Sequence, residues 1–268
     1  MPKEGAMPDD KARELIRAYH AATSYIDAQV GRLLDELKKL GLREKTIVIL
    51  WGDHGWQLGE HGFWCKHTNY EIATRSTLMI SAPEQKKRGA KTDVLMEFVD
   101  IYPSLCELAG LPLTDGLEGK SFVQLMENPK RDWKTAAFSQ YPRGKLIGYA
   151  MRTDRYRYIE WAEKGKPLEG IELYDHKKDP DENVNIANLP ENKKLVAHWS
   201  EQLKKGWKSA LPSNEIICHA TENLQRKSSE LARAVSLKRL HGIWRTPNST
   251  VRRALPPLQK SFRRLCTL

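Results

Sequence analysis

The chain has 268 residues, of which 40% are hydrophobic and 29% charged, with a formal net charge of +10. That length and apolar content belong to an ordinary globular protein with a real core, and four irregularly spaced cysteines exclude a disulfide framework and a zinc pattern. No apolar run approaches the roughly 20 residues a bilayer crossing needs, and Met1-Pro2-Lys3-Glu4-Gly5 lacks the apolar segment of a signal peptide.

In chain order, the first element is a helix. Leu15, Tyr19, Ala22, Ile26, Val30, Leu33 and Leu37 recur in steps of three and four and form one apolar face. Gly41 supplies the left-handed cap that ends it. The short β-branched run Thr46-Ile47-Val48-Ile49-Leu50-Trp51 then predicts a strand covered on both faces, as in a parallel α/β sheet, and forms half of a crossover unit with the helix. Parallel sheets bind ligands beyond the carboxyl ends of their strands. Asp53 and His54, two potential metal ligands, stand at that end. A second strand, Thr77 to Ser81, stops at Ala82-Pro83, because proline cannot donate to a ladder. Two short helices are predicted near Val94 to Val99 and Ile101 to Ala109, with Asp100 capping the second and Pro103 in its first turn.

From about Lys134 the pattern changes to short strands. Ile147 to Arg152 and Tyr156 to Trp161 flank Thr153-Asp154-Arg155 as a hairpin, and Ile171 to Tyr174 adds a third antiparallel strand. Asp179-Pro180-Asp181-Glu182-Asn183 reads as a turn, and a final helix runs from about Pro190 to Gly206 with Leu195, Trp199, Leu203 and Trp207 on one side. Arg143, after Tyr141-Pro142, falls in a predicted loop, either solvated or within reach of an anionic sugar. Residues 213–268 carry eleven Lys or Arg against three Glu, which is +8 of the chain's +10. This basic tail suits either a polyanion-binding arm or a segment foreign to the fold. With no helix-turn-helix, zinc finger or RNA-recognition motif, no specific nucleic-acid binding is expected, and no membrane partner.

The richest segment is Gly52-Asp53-His54-Gly55-Trp56-Gln57-Leu58-Gly59-Glu60-His61-Gly62-Phe63-Trp64-Cys65-Lys66. With its preceding strand it resembles the sulfatases of the alkaline-phosphatase-like superfamily, and most nearly the iduronate-2-sulfatase branch. Val99-Asp100-Ile101-Tyr102-Pro103-Ser104-Leu105, Leu117-Glu118-Gly119-Lys120-Ser121 and Glu172 to Asn183 repeat the resemblance. It implies an α/β sandwich core over residues 1–130, a small antiparallel α+β subdomain over 131–212, and a tail outside the resemblance. It further implies Asp53 and His54 as ligands of Ca²⁺, Lys66 as the catalytic residue contacting the sulfate, and His61 as a substrate contact or a histidine bonded to local backbone. Trp56 and Trp64 are expected to pack beneath the loop. Ca²⁺ prefers oxygen to histidine, so a metal-dependent phosphatase of the same superfamily stands as an alternative.

The family's nucleophile is a formylglycine made within a Cys-x-Pro/Ala-Ser-Arg motif, and its metal also uses an upstream pair of Asp residues. Cys65, Cys106, Cys218 and Cys266 all lack that context, and Asp9-Asp10 follows no apolar strand. The chain therefore reads as the C-terminal half of a sulfatase for sulfated glycans. Its expected partner is a separate N-terminal segment, and the resemblance implies export, as is usual among full-length relatives. A non-catalytic binding protein that keeps half a site is the other reading.

Overall fold

The apolar stripe beginning at Leu15 becomes one helix, α1 (Asp9–Lys39), in the computed structural model, which describes residues 6–212. Asp9 and Asp10 in its first turn and Lys38 and Lys39 in its last complement the helix dipole. Gly41, at φ +68°, ends it: its N–H donates to Lys38 O, and the Leu42 N–H to Leu37 O. The stripe stays open. No residue of α1 is buried, and Leu33 is 69% exposed.

Next come β1 (Val48–Trp51), a two-stranded antiparallel ribbon of β2 (Gln57–Leu58) and β3 (Trp64–Cys65), the single turn α2 (Glu71–Thr74), and β4 (Leu78–Ser81). The parallel, doubly covered sheet expected for β1 is not what forms. Among the described residues β1 pairs with β4 alone, antiparallel, with Val48 opposite Ser81 and Trp51 opposite Leu78. An antiparallel pair needs only one covered face. Ile49, Leu78 and Ile80 supply it, packing on a core of Ile101, Phe122, Leu125 and Trp133, while Leu50, Trp51 and Met79 are exposed.

The helix expected at Val94 to Val99 is only a 3₁₀ turn at Phe98–Asp100, followed by α3 (Ile101–Leu108) and α4 (Val123–Glu127). Asp100 does not cap α3. Its carboxylate closes a capping box with Glu97 around the 3₁₀ turn, accepts the Lys120 N–H at 2.8 Å, and takes a bond from Lys134 Nζ, also at 2.8 Å. Ser104 Oγ donates to Asp100 O and accepts the Phe122 N–H. A Cβ at Gly119 would lie 1.8 Å from Val99 O, so only glycine lets the chain pass there. The segments around Asp100 and Gly119 thus hold each other.

The remaining strands, β5 (Ala136–Arg143), β6 (Leu146–Thr153), β7 (Tyr156–Glu163) and β8 (Leu168–Asp175), form an antiparallel meander in sequence order. The predicted hairpin and third strand are present. β5 was not expected, and it makes Arg143 a strand end paired with Leu146 rather than a loop residue. Proline is compatible with β5 because it lies at the sheet's edge. Helix α5 (Lys193–Lys205) lays Leu195, Val196, Trp199 and Leu203 against Tyr158 and Leu173, as the spacing predicts. The predicted basic tail, with Cys218 and Cys266, lies outside the described residues. Among those residues no helix is long and apolar enough to cross a membrane.

Candidate active site

Asp53 and His54 stand where β1 gives way to a turn. Ladder bonding continues one step past the strand: Gly52 N–H donates to Thr77 O, and Ser76 Oγ donates to Gly52 O. Two glycines make the turn possible. A Cβ at Gly52 would lie 2.5 Å from Ser76 Oγ, and one at Gly55 would lie 1.9 Å from Ile72 O, where the Gly55 N–H donates to Ala73 O. The Asp-His turn is therefore pressed against the backbone of α2.

The His54 ring is fixed from both sides. Nδ1 lies 2.7 Å from Gly55 O; a carbonyl can only accept, so Nδ1 is the donor of that bond and Nε2 is the ring nitrogen left to face outward. Nε2 lies 3.4 Å from Asp53 Oδ1. The ring stacks on Trp56 at 5.9 Å, and Trp56 on Tyr19 of α1 at 5.8 Å, so α1 braces the imidazole. The Asp53 carboxylate is 81% exposed and has no other partner among the described residues. A carboxylate beside an imidazole nitrogen is a pair of groups that can bind a divalent cation, and a histidine whose second nitrogen is bonded to a carbonyl is oriented as metal-bound histidines are. Two ligands do not enclose Ca²⁺, which takes six to eight oxygens.

The β2–β3 ribbon carries the rest of the motif. Its turn runs through Gly59 at φ +120° and His61 at φ +57°, with Trp64 packed under Gly59. His61 lies flat on Tyr70, centroids 4.2 Å apart, rather than bonding local backbone. Because Gln57 pairs with Cys65, Lys66 leaves the ribbon at the end where Trp56 enters it, beside the His54 turn. Lys66 is half-buried and has no ion pair among the described residues.

Helix α2 fixes this assembly to the meander. Glu71 takes bonds from Arg152 Nε at 3.1 Å and from Arg157, whose Nε also donates to Glu182 at 2.5 Å. Glu182 further accepts from the Glu71 N–H and pairs with His176, both at 2.7 Å. Burial pushes the Glu182 carboxyl up, but His176, Arg157 and the Glu71 N–H outweigh it and hold it below the usual carboxylate range. Glu71, His176 and Glu182 are near enough to share a metal ion. Two guanidiniums already neutralise their charge, so the cluster is an ion-pair network. One loop further, Asn69 Nδ2 donates to Gly148 O at 2.9 Å, where a Cβ on Gly148 would lie 2.6 Å from that nitrogen. Asn69 and Glu71 were not singled out from the sequence, and Tyr19 and Glu182 were read only as a stripe and a turn residue: Tyr19 meets Trp56, 37 positions on, Asn69 bonds Gly148, 79 positions on, and the Glu71 N–H bonds Glu182, 111 positions on.

Comparison with known proteins was made on this geometry. The family described as "N-sulphoglucosamine sulphohydrolase, C-terminal" matches residues 59–209, and the family described as "Sulfatase" matches residues 2–111. A sulfatase of Formosa agariphila is 37% identical over 185 residues, covering 69% of this chain and 35% of that protein. The iduronate 2-sulfatase of Homo sapiens is 30% identical over 252 residues, covering 69% of this chain and 46% of that one. A structure solved with its substrate D-glucosamine-2-N,6-O-disulfate superposes with a TM-score of 0.66 at 30% identity, over 74% of this chain and 42% of the other. The fold is thus the alkaline-phosphatase-like α/β fold of those structures, and the chain spans between a third and a half of the length of the curated relatives it matches.

Proposed function

Because the chain belongs to the sulfatase family, we propose that it contributes the Asp-His-Lys half of an active site that hydrolyses sulfate esters of glycans. The observation that supports this reading is the Asp53-His54 turn, where an exposed carboxylate lies beside Nε2 of a ring tethered through Nδ1, at the end of the ribbon from which Lys66, without an ion pair among the described residues, leaves. Asp53 and His54 would hold the cation, whose chemistry is to withdraw charge from the sulfate oxygens. Lys66 binds the sulfate, its ammonium donating an N–H hydrogen bond to the oxygen on which charge develops as the S–O bond breaks. The Trp56–Tyr19 stack keeps the His54 ring in place while this happens.

The remaining carboxylates and the formylglycine would come from an upstream sulfatase segment. The open apolar stripe of α1 and the bare face of the β1–β4 pair support that, since unpaired apolar surface of this size marks a contact. Glycan substrates are supported by the relatives, one of which acts on a disulfated glucosamine.

The test is hydrolysis of an aryl sulfate by the chain alone and after mixing with the N-terminal half of a relative. Activity is expected only in the mixture, and Lys66→Ala or Asp53→Asn should lower it by at least about a hundredfold, as loss of a charge-stabilising group does. Turnover by the isolated chain, or a mixture indifferent to Lys66→Ala, would overturn the proposal. A mixture with no activity at all would favour the non-catalytic binding protein.

A further inference from the structure

Next to the motif ribbon lies a cavity of about 70 Å³ that the sulfate chemistry leaves unused. Its walls come from two sides: the loop through His67 and Asn69, and the inner faces of β5, β7 and β8. Tyr141 and Arg143 are two positions apart on β5, as Ile159 and Trp161 are on β7, so each pair presents its side chains on the same face of the sheet. The His67 ring lies parallel to the Tyr141 ring, 6.0 Å away and within 11° of coplanar alignment. The Arg143 guanidinium is held over Phe63, 5.9 Å from the ring centroid.

Several polar groups around the cavity are already engaged, whereas Arg143, His67 and the Tyr141 hydroxyl have no hydrogen-bond partner among the described residues. Glu172 accepts from Trp161 Nε1 at 2.6 Å and Tyr174 Oη at 2.7 Å. Asn69 is bonded to Gly148 and Ser139. Thr68 Oγ1 donates to Gln57. Arg143 has no carboxylate partner among the described residues. A guanidinium without an ion pair, facing a cavity whose carboxylate Glu172 is already taken up by Trp161 and Tyr174, and set beside two parallel rings, has the chemistry of an acidic sugar site. The volume is about five times what one water requires, so it admits a carboxylate or sulfate group rather than a whole sugar ring.

We propose that this cavity is a second anion subsite. It takes the carboxylate or an additional sulfate of the same glycan whose scissile sulfate is held by Lys66, with Arg143 as the recognising cation and Tyr141 and His67 against the sugar. His67 follows Lys66 directly, so a wall of this cavity and the sulfate contact are adjacent residues of one loop. The identity of the neighbouring site rests on the sulfatase reading; the anion site itself rests on Arg143 and the cavity.

The experiment is titration calorimetry of the full 268-residue chain with three disaccharides of one linkage: one with a uronic carboxylate and no sulfate, one with a sulfate and no carboxylate, and one neutral. At least one anionic probe should bind, about tenfold or more tighter than the neutral one, and which of the two does so identifies the anion. Compared in a Lys66→Ala background, which removes the neighbouring sulfate contact, Arg143→Gln should erase that discrimination, and Arg143→Lys should keep part of it, because the charge remains while the fork is lost. Equal binding of all three probes by the wild-type chain, or discrimination surviving in Arg143→Gln with an unchanged melting temperature, would overturn the inference. Aryl sulfate has no second anion, so its hydrolysis in the mixture described above reports on the Lys66 half-site alone. If that hydrolysis fails while Arg143-dependent binding persists, the sulfatase reading falls and the subsite stands. The reverse result removes only the subsite.

Discussion

Glu182→Gln tests whether the buried network holds the motif loop to the meander. Glu182 is 2% exposed and accepts three bonds: from Arg157 Nε, from His176 and from the Glu71 N–H. Breaking a buried ion pair from one side costs about 3–5 kcal/mol, because the other charge stays buried without its partner. Glutamine keeps the shape and one acceptor, so the lower end applies, about 3 kcal/mol, from a total that is commonly about 5–15 kcal/mol. For a body of this size that is a fall in melting temperature of about 6–12 °C. The pH dependence carries the sharper information. The folded carboxyl of Glu182 titrates below its ordinary value of 4.5. Its stabilisation is therefore fully present above that value and is lost as pH falls through the folded pKa. Urea unfolding of both proteins should give the full gap near neutral pH, and the gap should close in acid, where the wild-type carboxyl protonates too. A gap below about 1 kcal/mol, or one that stays constant into acid, would refute the account of the network.

Two further outcomes follow from neighbouring positions. Gly55→Ala should shift the urea midpoint down by about 1–3 kcal/mol of stability, since a Cβ 1.9 Å from Ile72 O forces backbone to move; an unchanged midpoint would mean the Asp-His turn is not pressed on α2. Arg155→Met, by contrast, should lower the melting temperature far less than Glu182→Gln, although Arg155 makes two short bonds to Asp175. Its side chain is 40% exposed, and water screens the pair; equal losses in the two variants would contradict that ranking.

How much of this was legible in the sequence follows from the range over which each feature is determined. The α1 stripe, the Gly41 stop, the hairpin around Thr153-Asp154-Arg155 and the α5 face were all readable, because period and cap depend on residues a few positions apart. The segment that holds Asp53, His54 and Lys66 could be singled out because its motif residues lie close together, from Gly52 to Lys66. Strand direction was not. Val48 to Trp51 has the composition of a doubly covered strand, yet its partner among the described residues is antiparallel β4, and pairing is chosen by what the rest of the chain offers. The 3₁₀ turn at Phe98–Asp100 likewise overrode a helical pattern, because Asp100 bonds to Lys120 and Lys134, which are 20 and 34 positions away. Arg143 looked like a loop residue until β5 paired it with Leu146 and turned it toward Phe63. Local periodicity thus settled the elements, while long-range hydrogen bonds and ion pairs, whose partners no sequence window contains, decided what braces the Asp53-His54 turn and what stands beside it.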